Sequence, residues 1–244
     1  MFYNQGKTRN YRHNLSLATI LCFVAGIVNV SGFLAVQKLT TNVTGHFAFF
    51  MEEVIEFDFR EAIILFLFVG FYFLGSFCSS LLMEVISRKN TNYTYSIPVL
   101  IECMILFSIA IANDLLISGH PNIIAFSLLF AMGLQNALVT KISNSVVRTT
   151  HLTGLFTDLG IELSQLFFYK TKTQKLKLQS SIRLKLTIIS FFFLGGVVAG
   201  LIYPFIGLNT LIIASFLLIF GGIYDYIKRI MLKLTAKITR LDLK

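Results

Sequence analysis

From Leu186 to Tyr224 the chain runs for 39 residues without a charged side chain. A helix crosses the hydrocarbon core of a bilayer in about 20 residues, so this stretch has the length of two crossings. Pro204 to Asn209 is the natural break between them. Leu15–Val36 and Ala62–Met83 are each uncharged over 22 residues, and Asn122–Thr140 is uncharged as well. A weaker span, Ser96–Ala112, holds one acid, Glu102. With 55% hydrophobic and only 14% charged residues, the chain lacks the polar surface of a soluble domain. The bilayer is therefore its expected solvent.

The net charge of +9 falls in blocks between the apolar runs. That is the pattern of cytoplasmic loops and speaks against a nucleic-acid partner. Lys7, Arg9 and Arg12 precede Leu15–Val36 as in a signal peptide. The run is too long for an h-region and no A-x-A site closes it, so it reads as a retained first span. Residues 170–185 form a strongly basic loop. The tail, 227–244, sets Ile227, Ile230, Met231, Leu234, Ile238 and Leu241 at helical spacing against six basic residues. Both segments are expected to meet anionic lipid. Cys22, Cys78 and Cys103 all lie in apolar runs and carry neither a disulfide framework nor zinc-ligand spacing.

Two polar knots interrupt this apolar chain. Thr40-Thr41-Asn42-Val43-Thr44-Gly45 returns 109 positions later as Thr149-Thr150-His151-Leu152-Thr153-Gly154. Each copy has a Glu eight residues after its glycine, Glu53 and Glu162. Gly26-x-x-Asn29 answers to Gly133-x-x-Asn136, and Phe73-Leu74-Gly75 to Phe193-Leu194-Gly195. Gly75-x-x-x-Ser79 and Gly196-x-x-x-Gly200 are spaced to let helices approach closely. Four matches in one order point to an internal duplication of roughly 110 residues, in which residues 15–117 and 118–226 form two membrane repeats. Residues 1–14 are then the cytoplasmic N-terminus.

If the segment after each knot crossed the membrane there would be eight crossings, with Arg88, Lys89, Lys141 and Arg148 on the outer face, against the positive-inside rule. Six crossings put the basic blocks and both termini in the cytoplasm. The expected fold is an all-α integral membrane protein with six transmembrane helices and two short re-entrant or half helices, arranged as two inverted three-helix repeats. Discontinuous helices at the interface of inverted repeats are a recurring transporter plan.

On that plan the knots supply the ligand contacts. Thr44, Gly45, Thr153 and Gly154 open half-helices whose N–H groups favour anions or carbonyl oxygens, although ordinary capping by Thr accounts for the same residues. Asn29, Gln135 and Asn136 are placed to hydrogen-bond to a solute or between helices. Glu53, Glu102 and Glu162 are the candidates for ion or proton coupling. Glu102 stands inside a span, where an ionised carboxylate costs about 2.5–3.5 kcal/mol unless paired, yet it lies near that span's start. His46 and His151 adjoin the knots without metal-ligand spacing, and no cofactor motif, Walker A sequence or nucleophile elbow is present.

Ala131-x-Gly133-x-Gln135-Asn136-Ala137, followed by Thr149-Thr150-x-x-Thr153-Gly154-x-x-x-Asp158-x-Gly160, resembles the YoaK family of bacterial multi-pass membrane proteins, which carry a domain of unknown function. The resemblance covers most of Leu15 to Tyr224 and implies a bacterial cell (inner) membrane location. Asn29 stands where the family usually has Asp, and His46 where it has Asn. The expected function is a secondary transporter or channel for a small polar solute, not an enzyme, with a homo-oligomer compatible with the pattern. The alternative is a membrane scaffold or accessory subunit whose knots only cap helices.

Overall fold

A computed structural model describes residues 9–89, 93–111 and 119–241. Among the described residues eight α-helices follow in order: α1 Tyr11–Val36, α2 Val43–Ile55, α3 Phe59–Lys89, α4 Ser96–Ile111, α5 Pro121–Ser143, α6 Leu152–Gln165, α7 Lys172–Ile206 and α8 Thr210–Leu241. The described residues contain no strand. Four helical stretches are long and apolar enough to cross a membrane: α1, α3, α5 and Lys172–Ile227, the last containing α7 and most of the apolar part of α8. A 3-10 turn, Gly207–Asn209, divides that last stretch. Large apolar side chains such as Phe66, Phe73, Phe77, Phe193, Phe205, Phe216 and Phe220 point outward, as a surface in contact with lipid requires.

Two basic segments differ from expectation. The 170–185 region is helix from Lys172 onward, not loop. Lys, Leu, Gln and Arg all favour helix, and the Thr171 side chain accepts the Gln174 N–H to start it. α7 therefore extends beyond its apolar part by about four turns, from Lys172 to Lys185. Likewise α8 runs without interruption through the amphipathic segment to Leu241, and the final residues, 242–244, lie outside the described ones. The break between α7 and α8 comes at Gly207, whose φ of 55° ends the helix, and Pro204 is carried inside α7. Ala112 and most of the 113–121 loop also fall outside the described residues.

α1 packs along α7, α3 along α5, and α4 along α8. The first two contacts are made in the same way. A methyl group added at Gly26 would fall 2.0 Å from the Phe192 carbonyl oxygen, and one at Gly195 2.1 Å from that of Phe23. In the other pair, Gly133 faces the Tyr72 carbonyl at 2.2 Å and Gly75 that of Phe130 at 2.1 Å. Backbone meets backbone at all four glycines, an approach that only residues without a Cβ allow.

Charged groups tie several elements together at one end of the bundle. Arg9 interacts electrostatically with Tyr95 and Asp225, joining the starts of α1 and α4 to the later part of α8. At the same end Lys141 Nζ lies 3.0 Å from Glu84, tying the last turns of α5 and α3 together.

Candidate functional site

The two knots double back into the bundle. α1 ends at Gln37 and α5 at Asn144, both left-handed (φ 53° and 52°) and each returning its N–H to a carbonyl of the preceding turn. The chain then runs back beside the helix it has just left. The Thr41 hydroxyl donates to Asn29 Oδ1 at 2.6 Å, and Thr40 to the Val28 carbonyl at 3.2 Å. In the second knot Thr149 donates to Asn136 Oδ1 at 2.9 Å. Asn29 and Asn136 each stand seven residues before the last residue of their helix, about 10 Å in from the end at 1.5 Å per residue. Both α2 and α6 consequently begin about two turns in from the ends of α1 and α5. At 13 and 14 residues they reach about 20 Å, short of a ~30 Å hydrocarbon core.

The knots meet at a cavity of about 640 Å³. Thr41, Asn42 and Thr44 line it from the first knot, and Thr150, His151, Thr153 and Gly154 from the second. Asn29, the aliphatic Leu39, Val43 and Leu152, and two aromatic rings, Tyr72 of α3 and Phe192 of α7, complete the wall. Those rings belong to the residues whose carbonyls meet Gly133 and Gly26. His151 also borders two further polar clefts. One, about 540 Å³, runs past Asn136, Ser76 and Ser80 to Lys141. The other, about 400 Å³, passes Arg148, Asp158 and Lys185. Burial first, and then the charge of Arg148, hold the His151 imidazole below its ordinary value.

The two helix starts differ. Asn42 caps α2 by accepting the Gly45 N–H at 3.0 Å, so that donor is occupied and Gly45 packs against Leu39 instead of lining the cavity. No side chain caps α6 at His151, and Gly154 faces open space. Asn136 is satisfied within its own region, since its amide also donates to the Met132 carbonyl. Asn29 uses only its carbonyl oxygen, and its amide nitrogen has no partner among the described residues.

Other candidates fall away from the cavity. Gln135 is fully buried between helices and donates to the Leu21 carbonyl of α1 at 3.1 Å. Glu162 accepts from Lys185 at 2.6 Å and from Ser181 at 2.6 Å, pinning α6 to α7. Glu53 sits half-buried on α2; desolvation, and then the neighbouring Asp58, Glu56, Glu52 and Glu61, raise its carboxyl above the ordinary value. Glu102 is fully buried in α4, and neither oxygen has a hydrogen-bond partner. His46, buried against Phe68 with ring centroids 4.8 Å apart, contacts the Leu39 carbonyl and holds α2 on α3. Tyr72 and Phe192 were not foreseen as wall residues. Their signal was their place three residues before Gly75 and Gly195, one turn from each close contact.

Comparison with known proteins identifies relatives without assigning a reaction. The family described as "Protein of unknown function (DUF1275)" matches residues 17–224. The UPF0700 transmembrane protein YoaK of Bacillus subtilis (strain 168) is 26% identical over 200 residues, covering 78% of this chain and 84% of the relative. No solved structure matches.

Proposed function

The chain belongs to the DUF1275 family, and from that premise we propose that it is a secondary transporter or channel for a small polar solute. One observation carries the proposal: residues of both knots line a single polar cavity, with Asn29 beside them. Its volume falls in the range of small-molecule sites. A protein whose knots only capped helices would have no reason to begin two helices inside the bundle and leave an open space between them.

The repeats supply the frame. Matched positions make matched contacts: Gly26 with Phe192 and Gly133 with Tyr72, Gly195 with Phe23 and Gly75 with Phe130. Two inverted three-helix repeats account for this, since the first helix of each then packs against the third membrane-embedded helix of the other. Six helices cross, and α2 and α6 re-enter from opposite faces. The end bearing Arg9, Arg88, Lys141 and Arg148 is cytoplasmic by the positive-inside rule, which puts both termini inside a bacterial cell membrane. The clefts past Lys141 and Arg148 then connect the cavity to the cytoplasm.

Cysteine labelling tests the proposal. Thr44→Cys and Thr153→Cys, each in a chain with Cys22, Cys78 and Cys103 replaced by Ala, are expected to react with a small water-soluble thiol reagent. Thr153→Cys is expected to react fastest from the cytoplasmic side. If neither reacts in folded protein while both react after denaturation, the space between the knots is dry and the proposal fails.

A further inference from the structure

The cavity between the knots has a chemistry of its own, distinct from that of the clefts leading to it. The clefts carry Lys141, Arg148, Lys185 and Asp158. The cavity wall carries no carboxylate, lysine or arginine: its polar side chains are Asn29, Thr41, Asn42, Thr44, Tyr72, Thr150, His151 and Thr153. Burial, and then Arg148, hold the His151 imidazole below its ordinary value, which favours its neutral form. An ionised solute would leave the charged clefts and its water without meeting an opposite charge at the knots. One uncapped helix start offers only about half a charge, too little to replace full hydration of an ion.

Several groups at the cavity are free to donate. Asn29 has a spare amide N–H₂. Thr44 and Thr153 have hydroxyls without partners among the described residues, and the first backbone N–H groups of α6 have no side-chain cap. Two of the side-chain acceptors beside them are already in use: Asn29 Oδ1 takes the Thr41 hydroxyl, and Asn42 Oδ1 takes the Gly45 N–H. An occupant that brings acceptors satisfies the free donors. The remaining wall is apolar, with Leu39, Val43 and Leu152 beside the rings of Tyr72 on α3 and Phe192 on α7, and such rings take up flat molecules by stacking.

Resting on the transporter reading above, we infer that the solute is an uncharged, flat, carbonyl-bearing molecule of the heterocyclic amide or nucleobase class. Its carbonyl oxygens take the Asn29 amide, the threonine hydroxyls and the α6 N–H groups, and its ring lies against Tyr72 or Phe192.

Two pairs of probes separate charge from shape: nicotinamide with nicotinate, and uracil with orotate. In each pair the ring is kept and the second member carries a carboxylate. Binding of radiolabelled probe to the purified full chain in nanodiscs at pH 7.5 is expected for at least one neutral member, at least tenfold tighter than for its carboxylate partner. Asn29→Asp keeps the acceptor for Thr41 and removes the amide donor, and it should weaken the neutral probe at least tenfold. Phe192→Leu should weaken it comparably, and a normal melting temperature for either variant excludes misfolding as the cause. Binding of the carboxylates alone, lost on Thr153→Val, would overturn the neutral-solute inference and leave the shared site standing. Binding of none of the four probes would also overturn the inference, with the cavity itself still judged by cysteine labelling. Binding of a neutral probe that ignores Asn29→Asp, Thr44→Val and Thr153→Val alike would remove both the inference and the site.

Discussion

A single methyl group is enough to test the closest contacts in the molecule. Gly75→Ala and Gly195→Ala each drive a carbon to within 2.1 Å of a carbonyl oxygen on the neighbouring helix. Both should destabilise the protein by about 1–3 kcal/mol, seen as a lower melting temperature in detergent. Gly160→Ala, in α6 with nothing within 4 Å, should instead stabilise by about 0.5–1 kcal/mol by removing backbone freedom. Equal effects at all three sites would contradict the packing described. Gly75 and Gly195 were readable in the sequence because each closes one copy of the matched Phe-Leu-Gly motif. The depth of Glu102 was not. Counting from the start of its span put it near the interface, but Thr94, Tyr95, Pro98 and Val99 at that start are themselves buried. Glu102→Leu, which removes two unpartnered buried oxygens, should raise the melting temperature, by the equivalent of about 1–3 kcal/mol.

At the scale of elements, α6 hangs on α7 by the Glu162–Lys185–Ser181 cluster, whose charged side chains are 18% and 14% exposed. Lys185→Met would strand the Glu162 carboxylate and should cost about 2–4 kcal/mol. Glu162→Gln combined with Lys185→Met should recover most of that loss in a double-mutant cycle of thermal unfolding. Strictly additive losses would mean that the pair is not coupled. The sequence marked Glu162 through its spacing from Gly154, the same as that of Glu53 from Gly45, and so suggested one role for both. The partners differ: Lys185 answers Glu162, whereas acids surround Glu53. A repeat in sequence preserves backbone geometry more readily than it preserves charge pairing, because close packing at the glycines tolerates no change while a side chain near water does. The start of α7 was misread for a related reason. Its lysines announce a basic segment facing the cytoplasm, and the same residues are also good helix formers.

For the whole molecule, the six-crossing reading requires Asn122 and Thr173 on opposite sides of the membrane. Asn122→Cys should label from outside intact cells and Thr173→Cys only after permeabilisation, in a chain freed of its native cysteines. Labelling of both from one side would overturn the topology. The crossed pairing has a further consequence for how the protein is made. α1 finds its main partner, α7, some 169 residues later, counted from Gly26 to Gly195. At 5–20 residues per second the ribosome needs roughly 10–30 s to supply it. During that interval α1 sits in the bilayer with its glycine face against lipid, and α3 likewise waits for α5. Nascent chains halted before α7 emerges are then insertion-competent but unassembled, which makes them the natural clients of membrane chaperones and quality-control proteases.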